Sequence, residues 1–418
     1  MSQNPEIHTL SNGLNVVLSH NPNIRTVQTA FFINVGSNIE NLKNSGICHF
    51  LEHMIFKGTK TKTANDISKT IEENGGYINA WTSKEKTCFY TKMLFNDVSI
   101  SIDILSDIIL NSTFEEKELI KEKSVVKEEI DQSQDDPEDL VYELFMQNTY
   151  KNYSLGLPIL GTKNNVSSFT KKDLSSLIQD YYTASNMVVC ICGNLKDKQA
   201  ILSKLESSLK SLPTKNIGNK NKEALFQPSV NTLVKKELNQ AQIIYGFNYP
   251  NYYADNKDFF TAKLINIILG VGMSSRLFQE IREKQGLVYS IDSTYATYHN
   301  TGFLAIQAGC NVDSISKINH SINQEILKLQ TDKITIEEIN KAKKLMVSSL
   351  YMSLENLYST TERLAISYLN HGKIETIDNI VENINNITAE HILDFSQQNH
   401  SKKSIAIVAN KEIKVDTF

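Results

Sequence analysis

Two stretches of the chain, TIEENGGYINAWTS (Thr70 to Ser83) and EIREKQGLVYSIDS (Glu280 to Ser293), share a helix-like segment, a glycine and a following strand-like segment. Their offset of 210 residues (Thr70 to Glu280) is about half of a 418-residue chain. A repeat of that length implies two copies of one folding unit, each long enough to bury its own core. Within the first copy, TVQTAFFINVG reads as a strand and the apolar stretch around His49 as a buried helix. ANDISKTIEENGG reads as an amphipathic helix stopped by Gly75 and Gly76, and YINAWTS and KTCFYTKML as paired strands. NDVSISIDILSDIIL and TFEEKELIKEKSVVKEEID follow as helices. Strands and helices mix without a strict βαβ rhythm. The expected class is α+β: two homologous α/β-layer domains, with antiparallel-rich sheets covered by helices. Near LPTKNIGNKNKEALFQPS periodicity disappears, which places a linker at 213–230 between an N-terminal domain, 1–212, and a C-terminal domain, 231–418.

A formal net charge of −4 gives no electrostatic reason to expect nucleic acid or an anionic membrane surface as a partner. Nowhere do 18 apolar residues run together, so no membrane span is expected. The opening MSQNPEIHTLSNGLNVVLSHNP lacks a basic leader with an apolar core and reads as two strand-like segments around an Asn-Gly turn. The five cysteines (Cys48, Cys88, Cys190, Cys192 and Cys310) are scattered, odd in number and without a C-x-x-C pair. A disulfide framework or thiolate zinc site is not expected, and a reducing, cytoplasmic setting is.

The stretch CHFLEHMIFKGT, Cys48 to Thr59, carries the chemistry. Residues four apart on a helix point the same way, so His49 and His53 can offer two imidazoles to one ion with Glu52 beside them. The string alone leaves open a pair of core histidines satisfied by backbone carbonyls. At the 210-residue offset the three positions become Phe259, Ala262 and Lys263, so only one half carries the set. A catalytic zinc takes a third protein ligand and leaves the fourth position to water. Stepping 100° per residue along the helix from Glu122, Glu129 returns to about −20°, Val126 to about +40°, Val125 to about −60° and Leu119 to about +60°. Two carboxylates thus fall on an apolar face, where they are costly unless paired or metal-bound. An ordinary charged helix is the alternative.

These residues resemble the inverted-zincin peptidases related to pitrilysin, insulin-degrading enzyme and the mitochondrial processing peptidase. The resemblance rests on H-x-x-E-H, on HFLEHMIFKGT, on a glutamate 76 residues after the second histidine (Glu129) and another seven earlier (Glu122). It extends through GGYINAWTS, LGLPILGT, NMVVCICGN and SSRLFQEIREKQGLVYS, so it spans both halves, and the short bacterial members look most similar. It implies a zinc metallopeptidase acting on unfolded peptides in an enclosed chamber. One Zn²⁺ per chain is implied on His49, His53 and Glu129, with Glu52 as general base and Glu122 orienting a ligand histidine. It further implies that Asn79 and Ala80 receive substrate by strand addition, and that Arg282 and Tyr289 reach the substrate from the second half. Without the family match, Asn79 reads equally as part of an ordinary strand, and Arg282 and Tyr289 as a surface and a half-buried residue. Because one chain carries both sets, a homodimer is implied. The long glycine-rich loop of the noncatalytic processing subunit is reduced here to LGVGMSS (Leu269 to Ser275), which weakens the case for presequence specificity. Two further readings remain at this level: a noncatalytic structural subunit, and a catalytic subunit that needs a different partner chain.

Overall fold

A computed structural model describes residues 4–218 and 224–413. The first of two compact units is built on six strands: β1 (Glu6–Thr9), β2 (Asn15–His20), β3 (Thr26–Ile33), β4 (Tyr77–Thr82), β5 (Thr87–Leu94) and β6 (Met187–Gly193). They lie in the order β1-β2-β6-β3-β5-β4, with β2 and β6 parallel and the other neighbours antiparallel. The second unit has β7 (Val230–Val234), β8 (Ala241–Tyr249), β9 (Val288–Thr297), β10 (Gly302–Cys310) and β11 (Lys403–Ala409), in the order β7-β11-β8-β10-β9. Again one outer pair, β7 with β11, is parallel and the rest antiparallel. Apart from β1 the two sheets match strand for strand, which gives the sequence repeat its structural meaning: two homologous α/β layers. β4 and β9 are the corresponding edges.

The alternation of side chains along a strand gives each sheet two apolar faces to cover. In the first unit one face packs on the helices Ile47–Ile55, Val98–Asn111 and Lys171–Tyr181 around Phe31, Phe89, Leu105 and Leu174. The opposite face, with Phe32, Cys88, Cys190 and Cys192, is covered by the helix Leu357–His371. In the second unit the helices Asn256–Gly270, Ile315–Thr331 and Ala389–Asn399 fill one face, and the helix Pro137–Thr149 covers the other through Phe145 and Val141. The compact units are therefore residues 1–130, 158–220 and 352–375, and residues 131–157, 221–351 and 376–418.

These units cut across the contiguous halves expected from sequence. Each takes one helix from the other half of the chain: Leu357–His371 joins the first unit, and Pro137–Thr149 joins the second. Both exchanged helices start afresh just after a long one. Asp136 caps the first, with Pro137 at its opening position, and Asn356 caps the second. Of the segment read as a linker, residues 219–223 lie outside the described residues. Beyond them, Ala224 and Phe226 are buried beside Tyr150 in the second unit. No helix among the described residues is long and apolar enough to cross a membrane.

Candidate metal centre

The histidine helix, Ile47–Ile55, is buried on nearly every side, with Glu52 and His53 its only half-exposed residues. It has no side-chain cap from its own N-terminal residue, Gly46, whose φ of 95° is open to glycine at little cost. The cap comes from Glu40. This fully buried carboxylate accepts hydrogen bonds from the Gly46 N–H (2.7 Å) and the Cys48 N–H (2.9 Å). Burial pushes its pKa up to about 7 against the pull of those two donors. A negative charge at this end also suits the helix dipole. The LGLPILGT stretch closes over the same turn, because any Cβ on Gly161 would collide with the Ser45 carbonyl.

One turn into the helix, the rings of His49 and His53 lie 4.6 Å apart. The helix Glu116–Asp135 brings Glu129 to both: its carboxylate oxygens lie 3.7 Å from His49 Nε2 and 3.5 Å from His53 Nε2. The candidate ligand atoms of the three residues all fall within 4.8 Å of one another. Two atoms each bound to a tetrahedral zinc at about 2.0–2.1 Å sit about 3.4 Å apart, so the spacing suits an ion between them. Burial, followed by the neighbouring His53, lowers His49 to about pKa 3, which leaves its ring neutral and its lone pair available. Two neutral-capable imidazoles and a carboxylate form a donor set that fits zinc.

The helical wheel places Glu122 and Glu129 on one face, and the structure separates their surroundings. Glu122 is buried with Leu119, Val126 and Ile130, whereas the Glu129 side chain is 41% exposed. Val125, expected at the margin of the apolar arc, faces solvent. The correction follows from which neighbours the helix meets: only a narrow stripe of it is covered. His53 Nδ1–H donates to Glu122 Oε1 at 2.8 Å, which leaves Nε2 free to face Glu129. The other Glu122 oxygen holds Lys57 at 2.7 Å. Burial alone would depress His53, but the bond to Glu122 and the charges of Glu129, Glu122 and Glu52 outweigh it and raise its pKa. Burial would likewise raise Glu122, and His53 and Lys57 together reverse that.

Glu52 turns toward the sheet, where Thr82 on β4 donates its hydroxyl to Oε2 at 2.6 Å. Burial raises the pKa of Glu52, and the Thr82 bond and His53 pull the other way. Among the described residues β4 is an open edge, bonded only to β5. The Ser83 N–H to Lys86 carbonyl bond closes the hairpin and sets the alternation along it. The backbones of Ile78, Ala80 and Thr82 consequently point outward, away from β5. At Ala80 the outward N–H is met by the Asn79 side-chain oxygen, at 2.9 Å.

Arg282 and Tyr289 belong to the second unit. Arg282 lies on a wide helical turn, Phe278–Lys284, with its guanidinium over the Phe278 ring (4.5 Å), 5.9 Å from the centre of the Tyr289 ring and paired with Glu283 at 3.3 Å. Tyr289, the second residue of the edge strand β9, is 81% exposed rather than half-buried. Three neighbours of the centre escaped sequence reasoning. Thr82 carried a usable signal, since it shares strand parity with Ala80. Lys57 stands four residues after His53, a helical step that also could have been followed. Glu40 had none, because it reaches back from an irregular segment.

The sequence profile described as Insulinase (Peptidase family M16) matches residues 15–163, and that of the Peptidase M16 inactive domain matches residues 168–346. An uncharacterised zinc protease of Bacillus subtilis is 37% identical over 391 residues, covering 94% of each chain. One from Rickettsia felis is 39% identical over 402 residues, also covering 94% of each. Among solved structures, a protease from Helicobacter pylori superposes with a TM-score of 0.90 at 21% identity, over 98% of this chain and 100% of that one. The chain belongs to the M16 (insulinase) family of zinc peptidases, with β2 to β5 in the region of the peptidase profile and β6 to β10 in that of the inactive domain.

Proposed function

We propose that this chain is a zinc endopeptidase that hydrolyses unfolded peptides or short protein segments. The observation that carries the reading is the convergence of His49, His53 and Glu129 beside a Glu52 carboxylate that is held against an open sheet edge. His49, His53 and Glu129 would hold one zinc ion, with Glu122 fixing the ring of His53. Zinc in such a site supplies Lewis acidity, acidifying water and polarising the scissile carbonyl. Glu52 takes the proton of the attacking water and delivers it to the leaving amine as the C–N bond breaks. Peptide adds to the outward backbone of β4 at Ala80, with Asn79 contributing its side chain beside that N–H, through main-chain bonds that are indifferent to most side chains. Arg282 and Tyr289 grip and polarise the substrate carbonyl from the second unit, and the working form is a cytoplasmic homodimer enclosing a chamber.

The test is direct. Purified protein should contain one zinc per chain and cleave a quenched peptide, losing activity to a chelator and regaining it with zinc. Glu52→Gln should keep its zinc while kcat drops about 10²- to 10⁴-fold. A zinc-loaded Glu52→Gln protein with full activity would overturn the assignment, and a wild-type protein that neither binds zinc nor cleaves would favour a structural subunit.

A further inference from the structure

Peptide docking and base chemistry meet at one residue. Along β4 the side chains of Ile78 and Ala80 pack into the core beneath the sheet, and Trp81 packs on the opposite face. Thr82 shares the parity of Ile78 and Ala80, so its side chain points to the histidine helix while its backbone N–H and carbonyl face the open edge. Its hydroxyl is the only side-chain donor to Glu52 among the described residues. The surrounding frame is stiff. The Ser83 and Lys84 carbonyls accept the N–H groups of Ser37 (3.1 Å) and Asn38 (2.6 Å), and a Cβ on Gly36 would collide with the Ser83 carbonyl. Two residues further on, Glu40 caps the histidine helix. The hairpin that ends β4 and the helix that carries Glu52 are thus pinned to the same short segment, 36–40.

We propose that Thr82 is a positioning residue that ties Glu52 to the peptide-receiving edge: its backbone takes part in strand addition while its hydroxyl fixes Glu52 Oε2, leaving Oε1 for the proton of the attacking water. A β-branched side chain suits the task, since its restricted χ1 keeps the hydroxyl on Glu52 in both free and docked states. An unanchored carboxylate would instead swing toward His53 or solvent. The proposal rests on the assignment of Glu52 as the base.

Two variants at Thr82, read beside Glu52→Gln, separate the possibilities. Thr82→Val keeps the shape and the outward backbone but removes the donor, and Thr82→Ser keeps the donor. Thr82→Val should lower kcat about tenfold or more with KM within about twofold of wild type, and Thr82→Ser should recover most of the loss. Zinc content should stay at the wild-type level in both. A readout independent of turnover is fluorescence anisotropy of an uncleaved peptide on the Glu52→Gln protein with and without Thr82→Val, where affinity should change by no more than about twofold. Full kcat in Thr82→Val, equal losses in Thr82→Val and Thr82→Ser, or a matching loss of peptide affinity would each overturn the proposal. An active Glu52→Gln protein would sink the underlying base assignment, whereas an inactive one beside a fully active Thr82→Val would sink the tie to Thr82 alone.

Discussion

Each unit buries one histidine, and the two do so in opposite ways. In the second unit His400 uses both ring nitrogens: Nδ1–H donates to the Ser396 carbonyl at 2.9 Å, and Nε2 accepts from the Tyr249 hydroxyl at 2.7 Å. In the first unit His49 has no partner for Nδ1 among the described residues, and its Nε2 faces Glu129 at a distance too long for a hydrogen bond. A buried polar group without a partner costs free energy, so His400 is at rest and His49 is arranged for something more. The contrast extends to its helix. Where the first unit sets His49 beside His53, the 210-residue offset sets Lys263 over the ring of Phe259 at 4.4 Å. The second unit keeps the architecture and fills the same helical step with a pair that binds no metal.

The largest effect should come from giving the first unit the second unit's pair. His49→Phe with His53→Lys should abolish zinc binding and lower hydrolysis by about a thousandfold or more, with the circular dichroism of the fold retained. Retained zinc would break the comparison. Next are the exchanged helices, which are held differently. Phe145 on Pro137–Thr149 lies 5.1 Å from Phe303, and any Cβ on Gly246 would collide with it. Phe145→Ala should therefore cost about 3–5 kcal/mol in denaturant unfolding. Its counterpart, Leu357–His371, is held partly by a polar contact, the Trp81 indole N–H donating to the Tyr358 hydroxyl at 2.6 Å.

The histidines themselves predict a pH effect of intermediate size. Burial lowers His400 to about pKa 4, below the ordinary value of 6.5, so the unfolded chain takes up a proton that the folded one refuses. Stability owed to neutral His400 is complete above pH 6.5 and is lost as pH falls through 4. Relative to His400→Gln, wild type should lose about 3 kcal/mol more over that window. Parallel pH profiles would remove this part of the contrast. The smallest effect is Trp81→Phe, which should cost about 1 kcal/mol by leaving the Tyr358 hydroxyl without its indole donor. A loss as large as that of Phe145→Ala would show that the two exchanged helices are held alike.

Much of the architecture was legible because local signals agreed with one another. The turn at Asn12-Gly13, the stop at Gly75-Gly76 and the alternation in YINAWT all fall where the strands and helices lie. Helical phase depends only on spacing along one element, so it put Glu122 and Glu129 on one side of their helix; that this side meets the histidines was implied by the family resemblance alone. What stayed hidden was which element covers which. The apolar faces of Pro137–Thr149 and Leu357–His371 announce that a sheet lies beneath them, but either sheet satisfies that pattern. Glu40 was hidden for the same reason. A cap that reaches the helix from six residues upstream, through an irregular segment, leaves no period to read.

The exchange of helices bears on how such a chain could be divided. A cut near residues 213–230 would separate the two stretches of sequence, yet each piece would still carry the cover for the other's sheet. The apolar faces around Phe32 and Phe303 would then stand open to water, a patch of the kind that drives association. A gene split at that point should yield two fragments that are insoluble when expressed apart and that recover solubility when expressed together, each restoring to the other the helix it lacks.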